Sequence, residues 1–148
     1  MDSEASGDPL MQMRELALFA GLAGLGLALV SRPAKALVKD GVQLDGLEPE
    51  MVPAVHVANS VALELSGEPT TITSGLEGEH GEGSLHFEGL AVDVRRLDRH
   101  VDQFGGVHFI DLALAERQAR AIRAALPSDF DVVLEATHVH IEFDPPHA

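Results

Sequence analysis

The stretch GSLHFEGLAVDV, residues 83–94, decides how this chain is read. Its second half alternates as an extended segment would, with Leu90, Val92 and Val94 on one face and Ala91 and Asp93 on the other. An aspartate on an otherwise apolar strand is costly unless it is paired or binds a cation. His86 precedes it by seven positions, and Gly89 offers the turn that leads from the preceding loop into the strand. Alone the pair means little, because short His/Asp spacings arise by chance. Its meaning depends on a second element that supplies matching ligands.

HVHIEF, residues 138–143, is such an element. On a strand, His138 and His140 project together, while Val139, Ile141 and Phe143 point the other way into a core. The chain has eight histidines and no cysteine, so disulfides, thiolate sites and a cysteine nucleophile are excluded. A transition metal here needs imidazole and carboxylate ligands. His86, Asp93 and one histidine of the H-V-H pair make the two-imidazole, one-carboxylate shell of a catalytic zinc site, with a fourth position open to water. Glu135, just ahead of the strand, stands where a proton acceptor for that water would be needed.

The flanking segments predict the frame. Helix signals begin at Glu48–Glu50 and continue through a stripe of Met51, Val55, Ala58, Ala62 and Leu65. TTITS (70–74), LAVDVR (90–95), FDVVLE (130–135) and HVHIEF read as strands, the last two joined by a tight connection at Ala136 and Thr137. Residues 75–84 read as a glycine-rich loop, and 98–106 as a polar one. DLALAERQARAIRAAL (111–126) is a strongly amphipathic helix, capped by Asp111 and followed by Pro127. This order predicts an α+β domain over residues 39–148, a small, mostly antiparallel sheet flanked by helices. Residues 1–38 form a separate segment around the apolar run LALFAGLAGLGLALV (16–30), expected as an N-terminal apolar helix. At fifteen residues it is short of the roughly twenty needed to span a bilayer. A secretory signal, a weak anchor and a helix buried against a partner all remain open for it.

The 148 residues suit one domain, and 45% apolar residues suffice for a core. The net charge of −14 repels phosphate backbones and argues against a nucleic-acid partner.

Ser84, His86, Gly89, Ala91 and Asp93 fit the pattern S-x-H-x-x-G-x-A-x-D. In this stretch the chain resembles the zinc D-Ala-D-Ala peptidases, the group of VanX- and VanY-type enzymes and phage L-alanyl-D-glutamate endopeptidases. It is also similar there to the hedgehog signalling domain, which shares that fold. EATHVHIEFD (135–144) resembles the family's closing motif, and TSG (73–75) its first strand end. The resemblance covers roughly residues 45–145. It implies one zinc ion held by His86, Asp93 and either His140 or His138, with His140 preferred. His138 would then steady the oxyanion, Glu135 would be the general base, and Ser84, Ser74 and His80 would meet substrate. The implied substrate is a peptidoglycan stem peptide or cross-link. The implied setting is exported, membrane-tethered or virion-associated, as in phage lysis, with residues 16–30 meeting a membrane or virion partner. One departure is specific. The family often has an arginine shortly after the SG to grip a substrate carboxylate, but Leu76 and Glu77 stand there, which favours an endopeptidase over a carboxypeptidase. The alternative is a non-catalytic metal-binding or structural, assembly protein on the same fold.

Overall fold

The computed structural model describes residues 34–78 and 80–145. Within them lie a five-stranded sheet, a two-stranded hairpin and two helices, an α+β arrangement with a mostly antiparallel sheet. The N-terminal apolar helix expected over residues 16–30 lies outside the described residues. Among the described residues no helix is long and apolar enough to cross a membrane.

The sheet order is β1 (Leu37–Val38), β2 (Thr71–Ser74), β3 (Ala91–Arg95), β7 (His138–Phe143), β6 (Phe130–Leu134). Only β1 and β2 run parallel, joined through helix α1 (Met51–Ser66); the other neighbours are antiparallel. β1 lies just ahead of residue 39, where the sequence suggested the domain begins.

Helix α1 ends where Gly67 takes a left-handed conformation (φ 76°) and returns its N–H to the Leu63 carbonyl. Pro53 sits in its first turn, where a missing N–H costs nothing. Helix α2 (Leu112–Ala125) starts at Asp111, whose carboxylate accepts from the Leu114 N–H. Both helices contribute to a core with one face of the sheet, where Met51, Ala58, Ile122, Val92, Val94, Val132, Val139 and Ile141 pack. The larger of these side chains each contribute about 1.5–3 kcal/mol of burial. Buried Gln118 ties α2 to the chain after β3, accepting from Leu97 N–H and donating to the Arg95 carbonyl.

The polar segment expected as a loop over 98–106 is instead partly paired. β4 (Arg99–Val101) and β5 (Val107–Phe109) form a hairpin closed around Gly105 and the Asp102 carboxylate, which accepts from the N–H groups of Phe104 and Gly106. Three-residue strands carry too little alternation to stand out, and the Asp102 turn supplies the polar character of the sequence.

A candidate metal centre on the open face of the sheet

The face of the sheet away from the core carries the functional candidates. β3 and β7 pair in register, with Asp93 opposite His140 and Arg95 opposite His138. Alternation therefore puts Asp93, His138 and His140 on one side while Val92, Val94, Val139 and Ile141 fill the other. β2 joins through a bulge. Ile72 pairs with Val94, yet Ser74 pairs with Asp93, so one extra residue, Thr73, is accommodated between them. The bulge brings Ser74 to the edge of the site, which a regular ladder would not.

His86 arrives from a turn rather than a strand. Its backbone N–H bonds Ser84 Oγ, and Gly89 closes the turn onto the His86 carbonyl. Gly89 has φ 73°, and a Cβ there would collide with the Gly46 carbonyl oxygen. Only glycine lets this turn press against the Gly46 segment. His86 as a whole is 2% exposed.

His86, Asp93 and His140 each offer one ligand atom, all within 4.8 Å of one another, and this group can hold a metal ion. His86 Nε2 lies 3.3 Å from His140 Nδ1 and 3.3 Å from Asp93 Oδ1, and His140 Nδ1 lies 2.9 Å from that same oxygen. The far side of each ring fixes its tautomer. His86 Nδ1 is 2.7 Å from the Gly75 carbonyl, which only accepts, so this nitrogen carries the proton and Nε2 keeps its lone pair. His140 Nε2 is 3.0 Å from Glu142 Oε2 and donates to it in the same way. Three lone-pair atoms therefore converge, and they need a cation between them. In the metal-free protein that cation is a proton on His140 Nδ1. The hydrogen bond to Asp93 raises the His140 imidazole to about 9 despite burial, and Glu142 adds to the effect. Burial opposes the charge on Asp93, but the hydrogen bond from His140 and the neighbouring His86 and His138 rings outweigh it. They hold the carboxyl well below its usual range.

The same cleft, about 410 Å3, is lined by His80, Ser84, Glu135 and His138 besides the three ligand candidates. His138 Nε2 stands 3.4 Å from Asp93 Oδ1 and 3.4 Å from Glu135 Oε2, between the cluster and the carboxylate. Glu135 sits in the β6–β7 turn, its N–H bonded to the His138 carbonyl. That turn is clamped from below. Buried Arg96 forks onto Asp98 and donates to the carbonyls of Glu135 (3.2 Å) and Ala136 (2.7 Å). His80 stacks on His86 with ring centroids 3.9 Å apart, and its Nε2 reaches the Glu77 carbonyl at 2.7 Å and Ser74 Oγ at 3.3 Å. Ser74 itself faces an adjoining pocket beside Asp93 and His138.

Two supporting groups escaped the sequence reading. Glu142 shares a face with His140 two positions earlier, so the alternation that singled out the histidines also pointed to it. Arg96 falls between the strand read over 90–95 and the loop read over 98–106, in a stretch without a signal of its own. Glu77, conspicuous in the loop, is turned onto the backbone. It accepts from Gln43 and Gly75 N–H groups, and despite burial these bonds lower its pKa.

No protein-family model matches this chain, and no curated protein matches it.

Proposed function

We propose that this protein is a zinc-dependent peptidase that cleaves peptidoglycan stem peptides or cross-links, in a phage lysis or virion-associated setting. The observation that supports it most is the joint arrangement of three convergent ligand atoms, their Gly75 and Glu142 partners, and Glu135 with His138 on the rim of the same cleft. The donor set, two imidazoles and one carboxylate, fits zinc in a catalytic rather than a closed structural site. A bound zinc ion would supply Lewis-acid polarisation of the scissile carbonyl and a lowered pKa for water.

The chain's own groups do the rest. Glu135 takes the proton from the attacking water and passes it to the leaving amine. His138, whose Nδ1 meets Thr137 Oγ1 at 3.0 Å, turns Nε2 toward the cleft and donates to the oxyanion. The Arg96 clamp keeps the Glu135 turn in place. His80, stacked on His86, and Ser84, bonded to its backbone, border the substrate side of the cleft.

The test is digestion of purified peptidoglycan by the zinc-loaded full chain, with fragments read by mass spectrometry and His86→Ala as control. New peptide termini, absent with the variant, are expected. Intact wall peptides across several wall types, with zinc bound, would replace this reading by a non-catalytic metal-binding or assembly role.

A further inference from the structure

A second pocket, about 310 Å3, adjoins the cluster on the other side of His138. Asp93 and His138 line both this pocket and the cleft. Its remaining wall carries Lys39, Arg95 and Arg99. That concentration is unusual for this chain, which has 10 lysines and arginines against 24 acidic residues. The neighbouring Arg96 shows what a structural arginine looks like here: buried, forked onto Asp98 and bonded to two carbonyls. Among the described residues, the side chains of Lys39, Arg95 and Arg99 have no such engagement. Arg95 Nε is shut off from solvent and has no hydrogen-bond partner there. Asp93, the acid in the pocket wall, is committed to the histidines behind it. Two guanidinium groups and an ammonium facing one cavity repel one another, and a bound anion relieves that repulsion.

We infer that this pocket is an anion subsite, contiguous with the metal-ligand cluster, which takes a carboxylate of the molecule bound there. Arg95 and Arg99 grip the carboxylate from β3 and β4, and Lys39 closes the rim from the segment after β1. Planar guanidinium groups suit this role, since they present paired donors to the two carboxylate oxygens. Identifying the carboxylate as a peptide's rests on the peptidase reading above; the subsite itself does not. Two peptide sources share this chemistry, the C-terminal carboxylate and an acidic side chain. Positive charge beside the cluster removes the objection to carboxypeptidase action drawn from Leu76 and Glu77.

Binding to the full-length chain tests it directly. Three probes serve: N-acetyl-D-alanine, N-acetyl-D-alanine amide, and the α-amide of N-acetyl-glutamic acid. Each is titrated by calorimetry and NMR into metal-free protein, so that no metal competes for the carboxylate, and then into zinc-loaded protein. At least tenfold tighter binding of a carboxylate than of the neutral amide is expected, and the preference should shrink as salt rises. The tighter of the two acids names the source. Arg99→Gln should abolish the preference while circular dichroism and zinc affinity stay unchanged, since among the described residues the Arg99 side chain has no hydrogen-bond or ion-pair partner to lose. Equal affinity for acid and amide would overturn the proposal, as would a preference that survives both Arg99→Gln and Arg95→Gln. Wall digestion run in parallel separates the two ideas. Acid preference without cleavage keeps the subsite and sinks the peptidase; cleavage without acid preference does the reverse.

Discussion

Strands β3 and β7 have two faces with opposite duties. On one, Val92, Val94, Val139 and Ile141 are fully buried and hold the sheet to its helices. On the other, Asp93, His138 and His140 crowd polar atoms together at 2.9–3.4 Å. The two faces interleave residue by residue along the same backbone. The first face stabilises the fold in proportion to area removed from water. The second costs stability in proportion to what it desolvates, and recovers it only through ion pairing, protonation or a bound cation. The lesson is that side-chain direction, more than position in the chain, separates scaffold from chemistry here.

The largest separation should come from Glu135→Gln. Turnover on wall peptides is expected to fall about 100- to 10,000-fold, while zinc content and unfolding midpoint hold. A variant that stays fully active would remove Glu135 from the mechanism whatever the metal content. The opposite face gives the next effect. Ile141→Ala should lose about 2–5 kcal/mol of stability in denaturant unfolding, with zinc affinity of the folded fraction unchanged. A large loss of zinc affinity there would show that the faces are not separable. Glu142→Gln should weaken zinc binding about 10- to 100-fold by removing the acceptor that orients His140, as competition with a chromogenic chelator would show.

The finest test uses pH. In the metal-free protein the His140 imidazole is raised to about 9, above its ordinary value of 6.5. Its stabilising contribution is therefore complete below the unfolded value and lost as pH rises through about 9. Zinc affinity is expected to run the other way, because a bound ion would displace that proton. Between pH 7 and 8, zinc affinity should rise by up to about tenfold, and metal-free stability should fall by up to about 1.4 kcal/mol. Parallel trends for the two would refute the shared place of proton and metal.

The alternation that sorts these faces was legible in HVHIEF and LAVDV, because period two survives in a strand buried on one side. The long helices were legible from their stripes and from the Asp111 cap. Three features were not. The Thr73 bulge depends on how β2 meets β3, a pairing between residues about twenty apart that no local pattern encodes. The β4–β5 hairpin is too short for its period to rise above the polar turn it encloses. The cationic pocket draws Lys39 beside Arg95 and Arg99 only through tertiary folding. Glu142 was within reach of sequence logic, since it lies on the histidine face of its own strand.

The sheet order carries a consequence for synthesis. β7 is the last described strand to leave the ribosome, yet it lies in the interior of the sheet, between β3 and β6. A nascent chain halted before residue 138 has His86 and Asp93 but not His140, and both of β7's neighbours are left as open edges. Open edges invite pairing with other chains. Insertion of one strand thus closes the sheet and completes the group that could hold a metal ion in a single step of the protein's biogenesis.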